Sequence, residues 1–337
     1  MKASLSITAG DQADAVVVIV NYNAGDYLRR CLAALAAQCL KPRAVVLVDN
    51  ASSDGSLEGL EQDYPELLLV RSDQNLGFAA ANNLGVREAP ETTWVVTLNP
   101  DAFPAPDWLE QMLKAAHERP GYAMFSSCLL CDDASGRLDG AGDCYHTSGL
   151  VWRRRHGQVD RPSLGAGEVF APCAAAAMYR RQAFEEVGGF DEDFFCYLED
   201  VDLAFRLRLA GERCWYVPAA RVVHLGSAVT GYRSDFSTYY GQRNMVWTYL
   251  QNMPGALLWR SMPLFVLVNL AALVVGWRRG QLGVVARAKR DALRGLQNSL
   301  RKRQARQACR RVESAVLARS LTHGWRALLQ RSRAQVS

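Results

Sequence analysis

Short runs of Val, Leu and Ile recur along the first hundred residues with stretches of helical spacing between them, and this alternation restricts the chain to a layered α/β fold. Residues 15–20 read as a buried strand, 27–40 as a helix, and 44–48, 67–71 and 94–98 as further strands. Helical segments after Ser56 and Gly77 fill the gaps. Connections of that length imply right-handed crossovers and a Rossmann-like, doubly wound, mostly parallel sheet, which binds ligands beyond the carboxyl ends of its strands. The polar residues fall at those ends: Asn21-Tyr22-Asn23 after the first strand, Asp49-Asn50-Ala51-Ser52-Ser53-Asp54-Gly55 after the second, and Asn99-Pro100-Asp101 after the fourth.

The pattern then weakens. Residues 126–168 are irregular and rich in Gly, Asp and Arg, and little structure is expected there; Arg153-Arg154-Arg155 reads as an exposed basic loop. Residues 174–186 fit a strand or a helix, 201–210 a helix ended by Gly211, and 214–217 a strand stopped by Pro218. Residues 261–277 carry no charge and are flanked by Arg260 and Arg278-Arg279, a length at the lower limit for crossing a bilayer. Arginines recur beyond it among Leu293, Leu296, Leu300, Val312 and Val316, a basic, partly amphipathic pattern suited to an anionic lipid surface. A true span and an ordinary buried helix are the alternatives. The expected division is a catalytic domain over 1–250 and a basic, helical, membrane-associated region over 251–337.

With 337 residues, 49% of them hydrophobic, the chain has material for one large core or two modest ones. Its net charge of +5 hides a division: from Arg278 onward 16 Lys and Arg face only Asp291 and Glu313, leaving 23 basic and 32 acidic residues before that point. An acidic body without a recognition motif argues against nucleic acid as the partner of the basic tail. The nine cysteines are odd in number and no secretory signal precedes them, which favours a reduced, cytoplasmic setting. Cys128, Cys131, Cys144 and His146 lack the spacing of a zinc site.

Two familiar nucleotide sites are missing, because neither Gly-x-Gly-x-x-Gly nor Gly-x-x-x-x-Gly-Lys-Ser/Thr occurs. A hard divalent cation with oxygen ligands could neutralise a diphosphate instead, and Asp101 at a strand end suits it, although Asn-Pro-Asp also serves as a plain turn. Asp49 could accept hydrogen bonds from a base or ribose, or cap the helix that follows. Glu199-Asp200 heads a helix, where the dipole favours carboxylates whatever their function. Asp202 pairs with Arg206 one turn on and is read as structural. The aromatic and acidic approach from Gly188 to Phe195 would partly desolvate Asp200 and raise its proton affinity, as a general base for a sugar hydroxyl requires. His224 alone reads as an ordinary structural histidine.

Together the segments Val20-Asn21-Tyr22-Asn23, Val48-Asp49-Asn50-Ala51-Ser52-Ser53-Asp54-Gly55-Ser56, Asn75-Leu76-Gly77-Phe78-Ala79-Ala80-Ala81-Asn82-Asn83, Leu98-Asn99-Pro100-Asp101, Gly188-Gly189-Phe190-Asp191-Glu192, Tyr197-Leu198-Glu199-Asp200-Val201-Asp202 and His224 resemble family 2 glycosyltransferases of the GT-A fold, especially the rhamnosyltransferase-like branch. The resemblance covers about residues 15 to 250. It implies an inverting, metal-dependent transferase in which Asp101 and His224 bind a divalent metal (Mg2+ or Mn2+) and Asp200 is the base. Asn21, Tyr22, Asp49, Asn50, Asn75, Gly77 and Asn83 would form the nucleotide-sugar site, and Arg243, within Tyr239-Tyr240-Gly241-Gln242-Arg243-Asn244, would contact the diphosphate. The family's metal motif is often Asp-x-Asp; here Asn99 stands in for the first acid, so the ion would have one carboxylate fewer.

The expected function is transfer of a sugar, rhamnose being one candidate, from a nucleotide-sugar donor to a saccharide or lipid-linked saccharide acceptor in cell-surface polysaccharide synthesis. The expected location is the cytoplasmic face of the inner membrane, peripheral or monotopic. A sugar-nucleotide pyrophosphorylase would need a Gly- and Arg-rich loop where Asn21-Tyr22-Asn23 stands, and a non-catalytic saccharide-binding protein would have no need of both a base and a metal group.

Overall fold

The computed structural model describes residues 12–133, 135–161, 165–226, 233–325 and 327–328. Ser227, which follows His224-Leu225-Gly226, and Arg326, Arg331 and Arg333 of the basic tail lie outside these ranges.

Strands β1 (Gln12–Asn21), β2 (Lys41–Asn50), β3 (Leu68–Ser72) and β4 (Trp94–Leu98) are joined by helices α1 (Asp26–Ala36), α2 (Leu60–Asp63) and α3 (Gly77–Glu88) and pair in parallel. Lys41 precedes Pro42 and is therefore extended, so α1 stops short of the expected residue 40 and β2 begins earlier than residue 44. β1 is central because both its faces are apolar: Val16, Val18 and Val20 enter one core, and Val17 and Ile19 enter the other beside Leu28 and Leu32 of α1. α3 crosses the sheet closely at Gly85, where an added Cβ would stand 2.4 Å from a methyl of Val18. Only glycine fits that crossing.

The second half adds β5 (Ala102–Pro104), α4 (Trp108–Glu118), β6 (Met124–Cys131), β7 (Leu138–Gly140), β8 (Asp143–Tyr145), β9 (Val151–Arg153), β10 (Gly167–Val169), β11 (Ala176–Arg180), α5 (Arg181–Glu186), α6 (Glu199–Leu209) and β12 (Cys214–His224). The main sheet runs β10-β12-β6-β11-β4-β1-β2-β3, with β11 antiparallel to both its neighbours and β6 parallel to β12. The carboxyl ends of β2, β1, β4, β6 and β12 thus share one edge.

Three expectations are corrected here. Residues 126–168 are not structureless: they hold most of β6, then β7, β8 and β9 and part of β10, strands too short to show a periodic signal. Residues 174–186 are neither all strand nor all helix but β11 followed directly by α5. The strand from Cys214 does not stop at Pro218; it runs to His224, and a register shift against β6 between Val217 and Arg221 absorbs the residue that cannot donate. That extension carries His224 to the functional edge.

Helices α7 (Asp235–Asn252), α8 (Gly255–Arg278), α9 (Leu282–Arg294), α10 (Leu296–Ala308) and α11 (Ser314–Ser320) complete the chain. α7 packs against α6, α9 and α10, so the expected boundary at residue 250 falls inside a helix that touches both sides of it. The basic tail meets the acidic body through a buried ion cluster. Asp202 accepts from Arg206 Nε at 2.8 Å, Asn252 Nδ2 at 2.7 Å and Arg306 Nη1 at 2.5 Å, while Arg306 and Lys302 both reach Asp191. The Asp202 side chain is fully buried, with desolvation outweighed by Arg306 and Arg206, so its carboxyl lies below the usual range. Removing the shared anion strands two buried guanidinium groups. Asp202→Ala is therefore expected to cost about 3 kcal/mol, read as a lower urea midpoint.

Candidate active site

The first part of the edge is built where β1 and β2 end. Asn21 and Asp49 are paired in register, and both are buried. Asn21 Nδ2 lies 3.1 Å from Asp49 Oδ1, 3.0 Å from Ser52 Oγ and 2.9 Å from Ser56 Oγ, which leaves its Oδ1 unpartnered among the described residues. Asp49 Oδ2 also accepts from the amide of Ser52, a bond within the turn; α2 begins at Leu60 after Gly59 with no side-chain cap, so Asp49 does not cap the helix that follows. Tyr22 stands exposed just beyond. Asn50 donates to Asn75 Oδ1 at 2.9 Å and accepts from the Leu76 amide at 2.8 Å, tying the end of β2 to the entrance of α3.

The second part joins β4, β5 and β12. The pairing of His224 with Ala102 brings the imidazole to Asp101, with His224 Nε2 3.5 Å from Asp101 Oδ1 and both side chains buried. On the far side of the ring, Nδ1 lies 2.7 Å from Asp139 Oδ2. A carboxylate on one nitrogen fixes the tautomer and directs the other, the arrangement common behind metal-bound histidines. Asn99 Oδ1 is buried without a partner among the described residues, an oxygen of the type a hard cation takes. The residues at this point therefore fit a divalent ion.

Asp139 also forms an ion pair with Arg153 and is approached by His156 Nδ1 at 3.4 Å. Burial alone would raise its carboxyl, but Arg153 and the two histidines hold it far below the usual range. Arg153 is thus half-buried in the site rather than part of an exposed basic loop. In the sequence Asp139 and Asp143 only flank the glycines of Asp139-Gly140-Ala141-Gly142-Asp143, within a stretch too irregular for a periodic pattern to mark them.

The third part presents Asp200. Phe195, Tyr197 and Leu198 all have positive φ, at 64°, 69° and 66°, a strained backbone that costs about 1–3 kcal/mol per residue unless its surroundings impose it. Asn244 imposes it. Its Nδ2 lies 3.0, 2.9 and 2.7 Å from the carbonyl oxygens of Phe194, Cys196 and Tyr197. Arg243 donates to the carbonyls of Asp193 and Phe194, each at 2.9 Å, and lies over the Trp247 ring. Two residues expected at the nucleotide therefore have their polar atoms engaged elsewhere: Arg243 here, and Asn83 with the backbone of Phe190 and the carboxylate of Glu192. Gly77 meets the same turn, since an added Cβ would stand 2.5 Å from the Phe195 ring.

Asp200 itself accepts from the Ala174 amide at 3.0 Å and the Val201 amide at 2.8 Å. Burial nevertheless raises its proton affinity above that of an ordinary carboxyl. Arg153, already bound to Asp139, is the cation whose field reaches Asp200. Asp101, His224, Asp139 and Arg153 thus form one chain of contacts at one edge of the sheet, and Asp200 lies within the field of its terminal guanidinium. Because Asp139 is depressed in the folded protein, its stabilisation is present above the unfolded value of 3.8 and is lost as pH falls through the window below it. Asp139→Asn is expected to melt earlier than the parent at pH 7, with the gap narrowing as thermal scans are repeated below about pH 4.

Comparison with known proteins bears on this site. The family model for glycosyl transferase family 2 matches residues 16–188, just over half of the chain. An N-acetylglucosaminyl-diphospho-decaprenol L-rhamnosyltransferase of Mycobacterium tuberculosis (strain ATCC 25618 / H37Rv) is 32% identical over 239 residues, 64% of this chain and 77% of its own. The rhamnosyltransferase WbbL of Escherichia coli (strain K12) is 30% identical over 220 residues, 62% of this chain and 82% of its own. Among solved structures, the mannosyltransferase PcManGT of Pyrobaculum calidifontis in complex with GDP-Man and Mn2+ superposes with a TM-score of 0.52 at 19% identity, covering 90% of this chain and 86% of that one. The latter likeness is one of fold, a GT-A-type α/β architecture. The matched segment carries the polar ends of β1, β2 and β4 together with Asp101, Asp139 and Arg153, and on that ground the chain is a glycosyltransferase and belongs to glycosyl transferase family 2.

Proposed function

We propose that the protein is an inverting transferase that moves a sugar, rhamnose first among the candidates, from a nucleotide donor to a lipid-linked saccharide acceptor in cell-surface polysaccharide synthesis. The observation that carries this reading is the linked set Asp101–His224–Asp139–Arg153, with the Asp101–His224 pair suited to the diphosphate side, beside Asp200, a carboxylate of raised proton affinity that the Arg153 charge reaches. The names of the rhamnosyltransferase relatives support the choice of sugar and of a lipid-linked acceptor.

In this reading Asn21, Tyr22 and Asp49 receive the nucleoside, and Asn50 and Asn75 shape the wall beside it. Asp200 accepts the proton of the acceptor hydroxyl, whose oxygen attacks the anomeric carbon from the side opposite the diphosphate. The bond to the diphosphate breaks, its electron pair leaves with the nucleotide, and the configuration inverts. Asp101 and His224 would hold a divalent cation, Mg2+ or Mn2+, which when bound supplies positive charge for the departing diphosphate. Asn83, Gly77 and Arg243 serve the site by holding the turn that presents Asp200. Asp200→Asn is expected to abolish transfer while nucleotide-sugar binding, read as thermal stabilisation across a donor panel in the presence of Mn2+, persists. Full transfer by that variant would sink the assignment.

The same reading sets the protein against an anionic membrane, at the cytoplasmic leaflet. α8 is long and apolar enough to cross a bilayer, yet it has two different faces. Phe265 stacks on Tyr249 with ring centroids 3.9 Å apart, and Gly276 packs on Val285. The opposite face leaves Trp259, Leu267, Leu270, Val274 and Trp277 exposed, with exposed Arg260, Arg278 and Arg279 at the helix ends. A helix packed along one side favours lying in the plane of the interface over spanning it, with tryptophans at either end and arginines for anionic headgroups. Leu267→Asp with Leu270→Asp is expected to release the protein from phosphatidylglycerol vesicles in a flotation assay while its melting temperature is kept. Unchanged flotation overturns the membrane reading.

A further inference from the structure

We propose that Asp143 is the partner carboxylate of Asp200: the two acids share one proton, and Asp143 is a positioning residue that keeps Asp200 a competent base. The inference rests on the reading of Asp200 given above and extends it to a residue with no part in that reading.

Asp143 opens β8 directly after Gly142, whose φ of +78° turns the chain inward and where an added Cβ would stand 2.8 Å from Val169. Its amide donates to the Ala171 carbonyl at 2.8 Å, so the backbone is fixed from the strand opposite. The side chain is buried, and its Oδ1 has no hydrogen-bond partner among the described residues. A carboxylate oxygen of Asp143, the sulfur of Cys173 and a carboxylate oxygen of Asp200 lie within 4.8 Å of one another. Two carboxylates this close and this poorly solvated do not both ionise as independent groups; they titrate as a pair. An orphaned acid oxygen beside a second acid is a place where the one proton kept by the pair can reside.

The surrounding groups leave the pair to itself. Arg153 is the cation that faces both acids, and its ion pair is with Asp139, whose own charge raises Asp143 further. Burial, and then Asp200 beside it, push the Glu199 carboxyl well above the ordinary range. The thiols of Cys173, Cys144 and Cys214 and the phenol of Tyr179 are pushed up by burial and stay neutral at pH 7. A thiol beside two carboxylates is a poor match for a hard cation such as Mg2+ or Mn2+, which takes oxygen ligands. Burial, and then the neighbouring Asp200, push the Asp143 carboxyl up to about 7.

Above the upper titration of the pair both carboxylates are ionised. When the acceptor O–H bond breaks, its proton passes to Asp200 and the pair returns to its one-proton state, which the remaining charge on Asp143 favours. The acceptor oxygen forms the new glycosidic bond, the bond to the diphosphate breaks with its electrons, and the proton leaves to water after the product departs.

The test is the pH profile of kcat for sugar transfer, with donor KM, in the parent, Asp143→Asn and Asp143→Glu. In Asp143→Asn the midpoint of the acid limb is expected to fall by about one pH unit and kcat at pH 7 by about tenfold. Donor KM should stay within about twofold, and Asp143→Glu should keep an acid limb close to the parent's. An unchanged acid limb in Asp143→Asn overturns the proposal, as does loss of Mn2+ binding by calorimetry, which would make Asp143 a ligand instead. Should Asp143→Asn fail to fold, carboxyl 13C titration of the parent decides: two coupled steps shared by Asp143 and Asp200 support the pair, and two independent single steps overturn it. An inactive Asp200→Asn with an unchanged Asp143→Asn profile removes only this inference, whereas an active Asp200→Asn removes the reading beneath it.

Discussion

The position of Asp200 depends on one side-chain amide. Asn244, on a helix far along the chain, stands within hydrogen-bond reach of three carbonyls, those of Phe194, Cys196 and Tyr197, in the turn from Asp193 to Leu198. That turn contains three non-glycine residues with positive φ, a conformation a free chain would abandon. Its geometry is over-determined from other sides as well: Arg243 holds two of its carbonyls, and the Ala79 amide of α3 donates to Phe195. Because α6 starts at the end of this turn, the clamp sets where the Glu199-Asp200 pair enters the site. Fixing the acid beforehand avoids ordering it when the acceptor arrives.

Charge is distributed to the same end. The acidic body and the basic tail do not simply attract one another; the tail divides its cations between two tasks. Arg306 and Lys302 turn inward, to Asp202 and Asp191, and bind α10 against the loop that leads to Asp200. Arg278, Arg279, Arg290 and Arg294 remain exposed around the apolar outer face of α8. The helix layer that leaves an apolar face of α8 open is therefore in direct contact with the segment that leads to Asp200. Exposed pairs of this kind contribute little to stability, while the buried cluster at Asp202 is costly to break.

Much of this was legible beforehand where local pattern and burial agree. Continuous apolar runs marked β1, β2 and β4, and the turn-forming polar residues after them marked the edge, because a strand buried on both faces has little choice of residue. Asp101, Asp200 and His224 stand out in the sequence; in the fold Asp101 and His224 connect through Asp139 to Arg153, whose charge reaches Asp200. The three-residue strands β7, β8 and β9 gave no signal, since a period of two cannot register over so short a run. Asp139, Asp143 and Arg153 were hidden with them. Pro218 read as a stop because it cannot donate, yet a bulge carried the strand past it.

The class of fold and the edge of the sheet where polar residues gather were set by the sequence, because they follow from periodicity and from residue types at strand ends, and the family followed from the set of motifs those residues form. The tertiary structure alone decided which nitrogen of His224 faces Asp101, that Arg153 lies inside the site, that Asn83 and Arg243 hold a turn, and that one face of α8 is packed and the other open. Those facts depend on distances between residues far apart in the chain, and distance across a fold has no local signature.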